Sequence, residues 1–408
     1  MAILTFAFRM RWAILTLLVL GAAAGGYAGL RDAVPPADAL LAGTASVVLV
    51  LCVGYVHVRH VGLAVIMALA PLLGMVAAAL AARGLTTGAL LAIYGLGGIA
   101  AALAGGETVR RVLVEGAGGD AAKLSLARLF VPAMLAVLAA AAVSAAWLFR
   151  GDPALTLRTA CVLLASVVFA VLGATFGASV LPFTEGFFTT ANRVRERREH
   201  LLRLTTGIVQ SRWALSIAGI ALVLAVLGWF GIAPFLVRSA WIAKPALWSA
   251  SALGVFLIAF AAGRDWREAL AATAALAVFV LLVLWLRCLT AGRLSPPALI
   301  EIVTAAGAAY LPMLALATGR RRFHAAGDES TVARLRALED LGASPYFAAV
   351  AAAAALAPWT VLHGSVAVLA GAFLLAGGTA VVVQPAIATA LEWFIPHRRS
   401  LSQLYGRG

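Results

Sequence analysis

Charge is what this sequence has least of. Charged residues make up 12% of the 408 positions, and only 17 are aspartate or glutamate. A soluble domain carries roughly 25% charge, so a chain 63% hydrophobic with a mean hydropathy of +1.01 is excluded from that class. Cysteine is scarce too. Cys52, Cys161 and Cys288 lie in or beside apolar runs, a scatter that excludes a disulfide framework or a metal-ligand spacing. His57 and His60 flank Arg59 and His363 sits at an expected turn; they read as interface histidines, with no metal or other cofactor implied. Enzyme signatures are missing: no phosphate loop, no paired carboxylates within the membrane, no nucleophile beside a base. The cluster Gly116-Ala117-Gly118-Gly119-Asp120 has the wrong spacing for a phosphate loop, and no strand precedes it. We expect no enzymatic activity.

What is there instead is a series of apolar stretches, each near the twenty or so residues that cross a hydrocarbon core of about 30 Å. Twelve are expected, at 12–30, 39–57, 61–82, 86–105, 129–149 and 157–182, then 213–232, 245–262, 268–286, 296–318, 345–361 and 365–392. The expected fold is an all-α integral membrane protein of about 12 transmembrane helices in two pseudosymmetric six-helix halves, residues 1–205 with a cytoplasmic linker and 206–408. Each half opens on Arg-Trp (Arg11-Trp12, Arg212-Trp213) and closes on a proline followed by an acid and an aromatic: Pro182 with Glu185 and Phe187, Pro385 with Glu392 and Trp393. The first thirty residues resemble a signal peptide, but the matching stretch after Arg212 cannot be one, so the first is expected to be a retained helix. Outer loops are short, the 233–244 segment being about a dozen residues, too few for an independent domain. Gly21, Gly25 and Gly29, and Gly173 and Gly177, offer small-residue ridges for close helix packing.

The net charge of +14 follows topology rather than nucleic-acid binding. With the N-terminus inside, Arg31, Arg83, Arg150, Arg158, Arg238, Lys244, Arg287 and Arg293 are the outer basic residues, and the other 23 of the 31 are cytoplasmic. By the positive-inside rule both termini are expected in the cytoplasm, in the bacterial cytoplasmic (inner) membrane. Residues 106–128 and 319–344 mix charges with apolar positions (Val112, Leu113, Leu124 and Leu126; Val332, Leu335 and Leu338), which predicts a short amphipathic helix along the inner interface in each half. A third charged piece, 192–212, links the halves, and tryptophans such as Trp12, Trp147, Trp229, Trp241, Trp285 and Trp393 mark expected helix ends.

The layout around the fourth span carries a family likeness. Gly95-Leu96-Gly97-Gly98 leads to Glu107-Thr108-Val109-Arg110-Arg111 and on to Leu126-Ala127-Arg128. The second half has Ala305-Ala306-Gly307-Ala308-Ala309-Tyr310, then Arg320-Arg321-Arg322. This resembles the transmembrane core of the resistance–nodulation–division (RND) superfamily, in particular its lipid-exporter branch. The resemblance implies a transporter or flippase for a hydrophobic, lipid-like molecule, with membrane lipid, a hydrophobic substrate and a protein partner or second copy as partners. Two departures stand out. The large extracytoplasmic domains that family members insert after the first and seventh helices are lacking, and no acid lies at Gly98-Ile99-Ala100 or Ala308-Ala309-Tyr310, where proton-driven members carry one. The alternative is therefore a non-transporting membrane subunit or scaffold derived from such a transporter, working in a complex. Glu301, about one turn into the tenth span, is the leading candidate for coupling or substrate contact, because an acid in hydrocarbon is costly; its structural alternative is a headgroup position or a pair with Arg293. Tyr310, near mid-span, is the second candidate, as a hydrogen-bond donor to substrate or to a neighbouring helix.

Overall fold

The computed structural model describes every residue except 1–5, 7, 31–36, 116–117, 149–151, 186, 189, 192–202, 204, 208, 210, 239–243, 292–294 and 395–408. The described residues form helices and turns, with no strand among them. In the first half of the chain the helices are α1 (Arg11–Leu30), α2 (Ala37–Val58), α3 (Val61–Ala77), the single turn α4 (Ala79–Ala82), α5 (Thr87–Glu115), α6 (Gly118–Leu148) and α7 (Pro153–Val180). The second half has α8 (Trp213–Arg238), α9 (Pro245–Gly263), α10 (Trp266–Ala291), α11 (Pro296–Ala325), α12 (Ser330–Leu341), α13 (Ser344–Leu356), α14 (Trp359–Leu362), α15 (Ser365–Gly378) and α16 (Gln384–Phe394). A π-helical turn, Thr379–Val383, joins the last two.

Among the described residues ten helical stretches are long and apolar enough to cross a membrane, α15 to α16 counting as one; α3 and α13 are shorter apolar helices. Each expected span thus coincides with helix, but the third and eleventh are interrupted, at Ala78 and at Ala357-Pro358. Local chemistry explains several starts. Asp152 Oδ1 accepts the Leu155 N–H at 2.8 Å ahead of Pro153 at the first position of α7, and Ser295 Oγ faces the Ala298 N–H at 3.4 Å ahead of Pro296 in α11. A cap of this kind contributes about 1 kcal/mol, and proline at the first turn sacrifices no helical hydrogen bond.

The centre of the bundle is α5 against α11. The apolar stretch of α11 is buried throughout and that of α5 for most of its length. Helix α5 packs on α3, α6, α7, α11 and α13, and α11 on α5, α6, α9, α10, α12 and α15. The outermost helices are α1 and α8, whose Leu17, Val19 and Leu20, and Leu222, Val223 and Phe230, are exposed. Such a continuous apolar surface needs a lipid or protein neighbour. The small-residue ridges sit at close approaches: a Cβ on Gly25 would come 2.3 Å from the Val76 carbonyl oxygen of α3, and one on Gly173 2.7 Å from the Ala70 Cβ. Any side chain there would push the helices apart.

Four expectations are corrected. Residues 106–128 do not form a separate interfacial helix: α5 runs on to Glu115 and α6 starts at Gly118, with Val112 and Leu126 buried between them and their neighbours. Pairs of Glu107 with Arg110 and Arg111 at helical spacing favour continuation where hydropathy falls. The second half does contain a separate helix, α12, but its buried face is Ala333, Arg334, Ala337 and Leu338, while Val332 is exposed. Helix α8 continues to Arg238, so the outer connection expected at 233–244 is shorter. Finally, Pro182 follows the end of α7, but Pro385 lies one residue into α16. A proline lacks its N–H and clashes with the carbonyl four residues back, here Val381, and the wider π turn around that residue relieves the conflict. The linker arginines between 192 and 202, and Trp241, lie outside the described residues.

Candidate functional site

Glu301 and Tyr310 lie on the central helix α11, nine residues apart and so about 13.5 Å along its axis; they do not meet. Glu301 is 9% exposed near the Ser295 end. Its Oε2 lies 3.0 Å from Arg287 Nη2, and Arg287 Nη1 also donates to the Ser365 carbonyl at 3.1 Å. The partner considered from sequence, Arg293, is outside the described residues. Arg287 takes the role because α10 runs to Ala291 instead of ending near 286, which brings Arg287 alongside α11. The start of α5 accommodates the pair through Gly88: a Cβ there would sit 2.1 Å from Glu301 Oε1.

Tyr310 is 1% exposed, and its hydroxyl donates to the Val255 carbonyl of α9 at 2.5 Å. Tyr94 of α5 likewise donates to a carbonyl of a neighbouring helix, that of Ala68 in α3, at 2.9 Å. Sequence reading passed over Tyr94, although a lone aromatic hydroxyl in an apolar helix must find an acceptor and was the available signal. Tyr310 also closes one end of an apolar cleft of about 150 Å³ between the two halves of the chain. Helix α6 supplies Ala139, Ala140, Val143 and Trp147; the rest of the lining comes from α9, α10 and α11, with Ser251 and Thr273 as its other polar side chains. At the far end Trp147 Nε1 donates to Ser251 Oγ at 3.2 Å and the Trp147 ring meets Trp248 edge-on at 5.2 Å. An equivalent bond joins Trp359, in α14, to Ser46 of α2 at 3.0 Å.

The opposite end of the bundle is basic and holds two ion clusters, neither assembled by sequence reading. In the first, Arg128 Nη1 lies 2.9 Å from Glu107 Oε1 and 2.6 Å from Asp340 Oδ2. Arg110 pairs with Glu107 and Asp340, Arg111 with Glu107, and Arg322 reaches Asp340 at 3.9 Å. The second surrounds Arg334, whose side chain is 5% exposed: its Nε lies 2.6 Å from Glu268 Oε1 and its Nη2 2.7 Å from Glu392 Oε1. Arg320 Nη2 lies 2.5 Å from Asp265 Oδ2 and donates to Ser330 Oγ, which in turn donates to Glu392. Burial opposes the Arg334 charge, yet the carboxylates of Glu268 and Glu392 hold its pKa above the usual arginine value. Among the described residues the histidines do not gather. His57 stacks on Phe347 at 4.9 Å, while His60 Nδ1 accepts the Leu63 N–H at the start of α3 and its Nε2 donates to the Pro182 carbonyl.

Chemically, the centre of this bundle can bind and pack but has no acid to titrate: Gly88 to Gly106 in α5 and Ile302 to Ala325 in α11 contain neither Asp nor Glu. No family model and no curated protein matches the sequence. Solved structures do resemble the fold. SecDF in a super-membrane-facing form matches with a TM-score of 0.57 at 13% identity, covering 88% of this chain and 62% of that one. SecDF from Thermus thermophilus, a translocon-associated membrane protein, matches with a TM-score of 0.55 at 15% identity, covering 88% and 63%. This chain therefore spans less than two thirds of the length of either neighbour. The likeness is one of fold: this chain shares the arrangement of helices seen in the two SecDF structures.

Proposed function

We propose that this chain is the membrane core of an RND-like transporter or flippase for a hydrophobic, lipid-like molecule, which moves along the cleft between α6 and α9–α11. The observation that carries this reading is that cleft: it is lined by both halves, almost entirely apolar, and ends on Tyr310. Further support comes from a matched pair of bonds that cross between the halves, Trp147–Ser251 and Trp359–Ser46, each joining the fifth expected span of one half to the second of the other. Two pseudosymmetric units that rock against each other are what alternating access requires. In this reading α3 with α4, and α13 with α14, complete twelve crossings. The arginine-rich end and both termini face the cytoplasm across a bacterial inner membrane, following the positive-inside rule.

A second reading has its own observation. The middle stretches of the central helices, Gly88 to Gly106 in α5 and Ile302 to Ala325 in α11, lack a titratable acid, and coupling to a proton gradient needs a charge in the field. That favours a non-transporting subunit or scaffold working in a complex, as the translocon-associated neighbour does by its description. Reconstitution separates the two. A transporter moves a fluorescent phospholipid across vesicle bilayers, and Ala252→Trp, which fills the cleft from a partly open position, slows it at least tenfold. A scaffold gives protein-free rates in both cases. Glu301→Gln tests coupling: if transport occurs and the variant leaves its dependence on a pH gradient unchanged, Glu301 is a packing residue.

A further inference from the structure

The short connection between α9 and α10 contains an arginine where glycine would be the easier residue. Arg264 has φ +54° and ends α9 by donating its N–H to the Phe260 carbonyl at 2.7 Å. A Cβ is disfavoured in this left-handed conformation, so an arginine held there is a reason to ask what its side chain does. It opens on a cavity of about 430 Å³ at the basic end of the bundle, shared with Trp266 and Arg267 of α10 and with Arg320, Arg321 and His324 of α11. Asp265 is the one acid in this lining, and it is engaged by Arg320 at 2.5 Å. Among the described residues neither Arg264 nor Arg321 has a carboxylate partner, and both are exposed. Arg267 lies over the Trp266 ring, 5.4 Å from its centre.

Arg320 is paired with Asp265 and lies 3.5 Å from Glu268, which leaves Arg264 and Arg321 facing the carbonyl ends of α9 and α11. Each helix end counts as about half a negative charge, so roughly one positive charge remains uncompensated. Trp266 and Phe260 flank the cavity at 43% and 42% exposure, at the end of membrane-length helices where aromatic side chains sit among headgroups. The counterpart in the first half is Arg59, also left-handed at φ +56°, between α2 and α3. Its larger cavity, about 560 Å³, includes Glu339 and Asp340 among the lining groups, so its positive charge is more fully answered.

We infer that the Arg264–Arg321 cavity binds the phosphate of an anionic phospholipid headgroup, with Trp266 and Phe260 against the glycerol and upper acyl region. Basic pockets between helices at the cytoplasmic surface favour such headgroups. The inference is independent of whether the chain transports; it relies on the cytoplasmic placement above only for the leaflet. Purified full-length protein, offered equal amounts of phosphatidylglycerol and phosphatidylcholine with the same acyl chains, is examined by native mass spectrometry. Wild type retains phosphatidylglycerol in preference. Arg264→Gly and Arg321→Gln each lower that preference about fivefold. Arg264→Gly keeps the fold, because glycine accepts this backbone freely, so its thermal stability matches or exceeds wild type. Arg336→Gln, which pairs with Asp328 outside the cavity, leaves the preference unchanged. Equal retention of the two lipids by wild type overturns the site, as does an unchanged preference in the Arg264→Gly/Arg321→Gln double variant. Inorganic phosphate is the third probe: if it fully displaces phosphatidylglycerol, the site is one for free anion and the lipid assignment fails.

Discussion

The two halves of the chain treat the same sequence feature differently. Both follow a buried central helix with a charged stretch. In the first half α5 carries the charge on its own continuation and α6 begins at once. In the second, α11 stops at Ala325 and α12 forms a separate twelve-residue helix. The difference gives α12 a role that nothing in the first half shares. Arg334 on one turn is held by Glu268 and Glu392 of its own half, and Asp340 on another is held by Arg110 and Arg128 of the other half. One short helix thus ties the halves together by charges of opposite sign. A continuous helix could not turn back to reach both groups.

The sharpest way to break this comparison is Arg334→Met. It leaves two carboxylates buried without their partner and should cost about 3–5 kcal/mol, read as loss of the folded peak in detergent thermal denaturation. If Glu268→Gln and Glu392→Gln are added and stability does not return, the cluster is not what α12 rests on. Asp340→Asn comes next. It removes one of two acids serving several partly buried arginines and should cost about 2 kcal/mol, with cross-links between the halves forming less efficiently while the second half alone resists proteolysis as before. Arg336→Ala is the smallest effect. Its ion pair with Asp328 is 55% exposed on the arginine side, and such pairs contribute less than about 1 kcal/mol, so melting should barely move. The pH response sharpens the contrast further. A raised folded pKa means the Arg334 contribution is fully present below the unfolded arginine value and is lost only as pH climbs through the folded one. Stability measured between about pH 6 and 9 should therefore not change through this group.

Much of this was legible in the sequence, and the division follows physics. Hydropathy located every apolar helix because crossing length and burial act on consecutive residues. Helix ends were read less well: at Glu107 to Glu115 and at Arg287 the hydropathy falls while helix formation does not, and the Arg287–Glu301 pair was missed with it. The buried face of α12 was misassigned because an arginine was taken as a surface residue, when two carboxylates from α10 and α16 make its burial favourable. Partners such as Arg110 and Asp340 are separated by 230 residues, and no local period encodes that. The candidate site divides the same way. Tyr310 stands out in the sequence as an aromatic hydroxyl in an apolar helix, whereas the cleft it lines exists only once α6 is brought against α9.

The π turn at Thr379–Val383 has a geometric consequence for the last helix. Each residue of an α-helix advances the side chains by about 100°, and a π turn accommodates one residue more than a regular turn would. Everything after it is rotated by that increment relative to an unbroken helix running from Ser365. Thr389 and Glu392, both bonded to Arg334, reach it in this rotated setting. The turn works as a phase shifter: α15 keeps the azimuth that suits its apolar neighbours, and α16 takes the one that brings its acid to the arginine.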